Sequence, residues 1–245
     1  MQKTSLATDY RIPVTDYCFK AGSNQVGINI IFFLIRLYFR VFNSIKISGL
    51  EKIPAHGPLI IVANHVSVSD PPALAAYAAL VRKISMLAKK ELFAVPPFGA
   101  MFRSWGAIPV DRRRGGGDLG AFRAGLKVLR GGGCLILFPE GTRAKPGRPL
   151  KPKPGAAMFA AKSGAPVLCA RTFNTENFLK LSKITIKFGN MRYFGNAAQA
   201  ARPPDHPPAA LSVSGGQSGG GVTPRESYEE FSNLLMSDIF SITEE

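Results

Sequence analysis

The residues in this chain best suited to chemistry lie in Asn64-His65-Val66-Ser67-Val68-Ser69-Asp70, directly after the apolar run Leu59–Ala63. A histidine leaving the carboxyl end of a strand is placed as a general base would be. Asp70 follows five residues later. Positions five apart do not share a face of one continuous helix, so the pair can meet only across a turn. Pro71-Pro72 predicts a helix beginning at or just after Asp70. A carboxylate there has two oxygens: one can cap the helix, while the other accepts from the imidazole Nδ1–H. The second bond would fix the tautomer and leave Nε2 available as a base.

Other strand ends add charge. Cys134–Phe138 runs into Pro139-Glu140-Gly141-Thr142-Arg143, where glycine permits close approach of a ligand to the backbone and arginine offers a fork for phosphate. Ala107–Val110 runs into Asp111-Arg112-Arg113-Arg114. Arg112, next to the strand, is the best placed of the three arginines to reach a ligand. Lys153 precedes the helical stretch Ala156–Lys162, and a cation before a helix N-terminus also suits an anion. No G-x-S-x-G elbow occurs at the end of a predicted strand. A base with its orienting acid, and arginines with a carboxylate, therefore point to activation of a hydroxyl on a phosphate-bearing substrate.

The elements that must position these residues alternate. Strands are predicted at Ser44–Ser48, Leu59–Ala63, Ile84–Ala88, Ala107–Val110, Cys134–Phe138, Val167–Phe173 and Ile184–Phe188. The clearest helix is Asp118–Arg130, capped by Asp118 and ended by Gly131. Its inward stripe is Leu119, Phe122, Leu126 and Leu129, with Arg123, Lys127 and Arg130 outward. Such alternation predicts an α/β fold with a largely parallel central sheet flanked by helices. Ligands of that fold class bind beyond the carboxyl ends of the strands.

Two segments flank residues 44–196. Asn24–Asn43 is apolar but interrupted by Arg36 and Arg40, short of the roughly 20 apolar residues of a spanning helix. On a helix Gln25, Asn29, Arg36, Arg40 and Asn43 form one narrow stripe beside a wide apolar arc. That arc would either cover the sheet or lie in a bilayer surface, and the arginines favour the bilayer. Residues 1–43 are thus expected to be a tail and an interfacial membrane helix. Met1–Arg11 does not resemble a cleaved signal peptide. Residues 197–223 carry ARPPDHPP and SGGQSGGG and read as a flexible linker. Residues 224–245 resume a helical pattern, with Tyr228, Phe231, Leu234, Leu235, Ile239 and Ile242 near one face.

A 46% hydrophobic fraction excludes a disordered chain. Lysine plus arginine number 31 against 16 acidic residues, a net charge of +15 that demands anionic company. No basic stripe interleaved with aromatics appears, which argues against nucleic acid. Cys18, Cys134 and Cys169 share no metal-ligand spacing, and no metal is expected. Cys134 and Cys169 read as small buried hydrophobes, and a reducing compartment is expected.

Taken together, the blocks from about Ile45 to Asn190 resemble the glycerol-3-phosphate and 1-acylglycerol-3-phosphate acyltransferases. GLEKIPAHGPLIIVANHVSVSDP is similar to the family's first block with its N-H-x4-D motif. KKELFAVPPFGAMFRSWGAIPVDR, FPEGTR and KPGAAMFAAKSGAPV are similar to the next three, in order. The resemblance implies that His65 is the general base and Asp70 its partner. It implies an acceptor site of Arg112, Glu140, Gly141, Thr142 and Arg143 with Lys153 nearby. It also implies acyl-CoA or acyl-acyl-carrier protein as co-substrate, no further cofactor, no covalent acyl-enzyme, and a place on the cytoplasmic face of a membrane. The chain departs from the pattern at Cys169, where a proline is usual, and at Ala144, where serine is common; both bear on acceptor choice. The expected reaction is acyl transfer to the sn-2 hydroxyl of 1-acyl-glycerol-3-phosphate. The runner-up is an acyltransferase for another lysophospholipid or glycerol 3-phosphate, and the rival of another class is a basic membrane-surface protein without catalysis.

Overall fold

The computed structural model describes residues 23–96, 98–111, 117–145, 147–195 and 223–244. In chain order the elements are α1 (Ser23–Phe42), β1 (Ser44–Ser48), β2 (Leu59–Ala63), α2 (Asp70–Ala78), β3 (Ile84–Lys89), α3 (Phe98–Ser104) and β4 (Ile108–Val110). Then come α4 (Leu119–Arg130), β5 (Cys134–Leu137), α5 (Gly155–Ser163), β6 (Val167–Phe173), β7 (Lys183–Arg192) and α6 (Pro224–Ser241). The seven strands form one sheet in the order β1-β7-β6-β2-β5-β3-β4. Every pairing is parallel except β6 with β7. The Pro/Gly-rich linker predicted at 197–223 falls, but for Thr223, outside the described residues.

β2 and β5 are apolar at every position and buried at every position, because helices cover both faces of the sheet. Strand period two splits them between two cores. Leu59, Ile61, Ala63, Cys134 and Ile136 pack with α1, α2 and Trp105. Ile60, Val62, Leu135 and Leu137 pack with α4, α5 and α6. β4 closes one edge, where Pro109 removes no needed hydrogen-bond donor.

The helix predicted at Asn24–Asn43 divides its apolar arc in two. Ile28, Phe32 and Phe39 are buried in the first core, and Phe32 stacks on Trp105 at 5.3 Å. Ile30, Leu34, Leu37 and Val41 recur at helical spacing on the opposite side and are exposed. The polar stripe runs along one flank rather than facing away from the protein. Arg36 donates to the Ala76 carbonyl at 2.8 Å, and Asn43 is buried, donating to the Phe178 carbonyl at 2.9 Å. So the choice between core cover and exposed apolar helix is false for α1, which has one face of each kind. No helix among the described residues is long and apolar enough to cross a membrane.

Two smaller expectations need correcting. Leu119, predicted inward on α4, is 67% exposed, because the buried face is Ala121, Gly125, Leu126 and Leu129. The first-turn leucine lies beyond the sheet's reach. On α6, Leu234 is exposed and Met236 is buried in its place, while Phe231, Leu235 and Ile239 pack inward as expected. A capping box of Thr223 and Glu226 starts α6. Arg192 holds Asp238, with Nη2 to Oδ1 at 2.9 Å. Arg171 donates to the Phe240 and Ile242 carbonyls, each at 2.7 Å.

Candidate active site

The β2 strand hydrogen-bonds to β5 on one side and β6 on the other, so the residues leaving these three carboxyl ends converge. Asn64, the first residue past β2, anchors the turn: its side chain exchanges hydrogen bonds with the Thr172 backbone, 3.0 Å to the carbonyl and 2.8 Å from the amide. The chain then reverses through Val66–Ser69 into α2. That turn brings His65 Nδ1 to 2.9 Å from Asp70 Oδ2.

Asp70 is 0% exposed and does not cap its helix as predicted. It is the first residue of α2, and its oxygens turn back into the loop. Oδ2 also accepts from the backbone amides of Val66 and Ser67, both at 2.7 Å. Oδ1 accepts from the hydroxyls of Thr172 (3.0 Å) and Thr175. An ionised carboxylate only accepts, so Nδ1 carries the proton and Nε2 of the neutral ring has a free lone pair. Nε2 makes no hydrogen bond among the described residues, and the histidine side chain is 15% exposed. The imidazole rests on Phe138, ring centroids 4.5 Å apart.

The β5 loop docks on the same histidine through the backbone. The His65 amide donates to Glu140 Oε1 at 3.1 Å, and the Ala144 amide donates to the His65 carbonyl at 2.7 Å. Glu140 is 2% exposed, and Oε2 finds no partner among the described residues. Burial pushes its pKa above the usual carboxylate range, against the opposing pull of the His65 and Leu150 amides. Gly141 adopts φ +69°, and a Cβ there would lie 2.8 Å from Lys153 Cδ and 3.1 Å from its Nζ. The left-handed backbone favours glycine there, and any larger residue would also have to push the flexible end of Lys153 aside. Lys153 is held in turn by its amide on the Pro139 carbonyl at 2.8 Å.

Of the residues singled out in the sequence, His65, Asp70, Glu140, Gly141, Thr142, Arg143 and Lys153 thus come together. Thr142 and Arg143 sit exposed on the loop that bonds His65 on both sides. Arg112 lies outside the described residues; Asp111 before it donates its amide to Asp118 Oδ2 at 2.8 Å. Cys169 is buried in the second core and Ala144 is buried behind His65, so neither departure presents a side chain to solvent at the site. Thr172, Thr175 and Phe138 escaped the sequence reading. Thr172, buried near the end of a β6 whose first four residues are apolar and buried, was the one local sign of them.

Residues 44–171 match the family model described as Acyltransferase. The chain is 29% identical over 153 residues to the chloroplastic 1-acyl-sn-glycerol-3-phosphate acyltransferase LPAT1 of Arabidopsis thaliana, covering 62% of this chain and 42% of that protein. It is 33% identical over 134 residues to the 1-acyl-sn-glycerol-3-phosphate acyltransferase of Borreliella burgdorferi, covering 55% and 53%. These matches span about half the length of the relatives or less. The fold is similar to that of the 1-acyl-sn-glycerophosphate (LPA) acyltransferase PlsC from Thermotoga maritima, with a TM-score of 0.61 at 21% identity over 91% of this chain and 82% of that one. With more than half of its 245 residues inside the matched model, the chain belongs to the Acyltransferase family.

Proposed function

We propose that this protein is an O-acyltransferase that moves a fatty acyl group from a thioester donor to the sn-2 hydroxyl of 1-acyl-glycerol-3-phosphate, giving phosphatidate. The carrying observation is a half-buried histidine whose Nδ1 is fixed by a buried aspartate and whose Nε2 is unclaimed, on a loop bonded to Glu140–Ala144. The relatives' names supply the acceptor class.

In this reading His65 Nε2 takes the proton from the acceptor hydroxyl as its oxygen attacks the thioester carbonyl. Asp70 stabilises the imidazolium that forms. The tetrahedral intermediate expels the donor thiolate, which recovers the proton from His65 as a thiol. Arg143, Arg112 and Lys153 would hold the acceptor phosphate, with Gly141 and Thr142 shaping the loop and Glu140 fixing it to His65. The donor would be acyl-CoA or acyl-acyl-carrier protein, with no other cofactor. Direct transfer agrees with the state of Cys134 and Cys169: both are buried, and burial pushes both thiols up to about 12. The enzyme would work as a peripheral or monotopic protein on the cytoplasmic face of a membrane.

The test incubates the full chain with acyl donors and a panel of lysophospholipids and monoacylglycerol, with products identified by mass spectrometry. Phosphatidate is the expected product. His65→Ala should lose about 10²- to 10⁴-fold in rate. Arg143→Ala should lose roughly one to two powers of ten in efficiency on lysophosphatidate and much less on monoacylglycerol, since hydrogen bonds to charged groups are worth about 1.5–3 kcal/mol. Parental turnover in folded His65→Ala would overturn the mechanism. An equal loss on both acceptors in Arg143→Ala would remove that residue from the phosphate site.

A further inference from the structure

The connection from β6 to β7 does two things at once. At its base Thr175 donates to Asp70, and Ser69 Oγ donates to the Thr175 carbonyl at 2.7 Å. At its tip Leu179 and Leu181 are 74% and 73% exposed, the two most exposed large apolar side chains among the described residues. Leu181 also adopts φ +53°, a conformation left to glycine and asparagine in most proteins. Scattered exposed leucines need no explanation. A strained backbone that turns a leucine into water does.

The tip adjoins the end of α1. Tyr38 Oη and the Asn43 amide group both donate to the Phe178 carbonyl, at 3.0 and 2.9 Å, and the Ser44 amide donates to the Ser182 carbonyl at 3.2 Å. Val41 and Phe42, in the same last turn of α1, are 63% and 50% exposed. Arg40 of α1, Lys46 of β1, and Lys180 and Lys183 of the connection itself are exposed, while the connection's own carboxylate, Glu176, and Glu244, which accepts from Asn174 and Thr185, lie toward its base. Apolar tips with exposed cations in the loop and in the segments bonded to it match an anionic bilayer, whose interior takes the leucines and whose headgroups take the charge.

We propose that Phe178–Lys183 is a membrane-docking loop of its own: Leu179 and Leu181 enter an anionic lipid surface, and the loop's base sets the His65–Asp70 pair at a fixed distance from it. The purpose of that arrangement rests on the acyltransferase reading, because the acceptor must be drawn from the bilayer. The docking itself is measured without turnover.

The full chain carrying Leu179→Trp is mixed with vesicles of phosphatidylcholine alone or with phosphatidylglycerol. Trp105, 3% exposed, supplies a constant background. The new tryptophan should shift to the blue on anionic vesicles and be quenched by brominated acyl chains. The pair Leu179→Ala and Leu181→Asn should weaken partitioning about ten-fold or more, with a Tm equal to or above the parent's, since asparagine tolerates the left-handed backbone. A merely structural leucine would not give weaker binding together with retained or greater stability. Lys180→Gln with Lys183→Gln should weaken binding at low salt and little at high salt. Vesicle-bound protein with unshifted emission from residue 179 would overturn the proposal. So would parental partitioning of the leucine variant, or a shift produced by an acidic carrier protein and not by vesicles. If Leu179→Trp shows the shift but the parent transfers no acyl group to detergent-dispersed lysophosphatidate, the docking loop stands and the acyltransferase reading falls.

Discussion

Asp70 accepts five hydrogen bonds from an unexposed position: His65 Nδ1, two backbone amides and two threonine hydroxyls. Each donor fixes one more direction of the carboxylate, so the imidazole it holds has one orientation and one tautomer. Glu140 is the opposite case. Its burial is only partly compensated, since Oε2 is an orphan among the described residues and burial raises its pKa. A carboxyl group whose folded pKa is raised binds more protons folded than unfolded between the ordinary carboxylate range and its raised value. Stability therefore falls as pH rises through that window. Glu140→Gln keeps an oxygen for the His65 amide and removes the buried charge. Its Tm should exceed the parent's at neutral pH, with the difference closing as pH drops below the ordinary carboxylate range. Thermal melts of both proteins across pH measure this, and a constant difference at every pH would show that ionisation of Glu140 is not the cause.

At the scale of elements, α1 is the helix with two apolar faces. Removing residues 1–43 would test membrane association only if α1 stood apart from the core, and it does not: Ile28, Phe32 and Phe39 are part of it. Point changes separate the two faces. Phe32→Ala should cost about 3–5 kcal/mol in urea unfolding, because it empties the contact with Trp105. Leu34→Gln, at a position 54% exposed, should change stability by about 0.5 kcal/mol or less while weakening vesicle sedimentation. Equal destabilisation by both changes would mean that Leu34 too is packed. Sequence periodicity located this helix to within a residue at each end, yet it could not divide the arc. A 3.6-residue repeat reports which residues are apolar together and says nothing of whether protein or lipid covers them.

For the molecule as a whole, both described cysteines lie inside the two cores that sandwich the sheet. Cys134 is 1% and Cys169 0% exposed, and burial moves both thiols away from the reactive thiolate. Alkylation at neutral pH should therefore spare both in the native protein and proceed only through opening of the whole sheet. Mass spectrometry after timed labelling, with and without denaturant, distinguishes the cases. Modification of Cys134 or Cys169 in the native protein at the rate of a free thiol would contradict the packing described.

The local elements, and with them the His65–Asp70 turn, were determined by the sequence alone. Continuous apolar runs bounded by glycine, proline and charge leave few alternatives to buried strands, and a proline pair fixes where α2 can begin. Three strands were placed to the residue at both ends, because nothing in Ser44–Ser48, Leu59–Ala63 or Val167–Phe173 competes with extended structure. Strand order was decided only in three dimensions. Nothing local reveals that β6 lies beside β2, so nothing local revealed that Thr172 and Thr175 would meet Asp70 from more than a hundred residues away. The antiparallel return of β7 closes a hairpin on β6, but its parallel pairing with β1 is long-range, and that pairing carries the leucine-tipped loop to the end of α1. Hydrogen bonds between distant strands satisfy backbone groups that every strand offers alike, so the choice of partner falls to the packing of the whole.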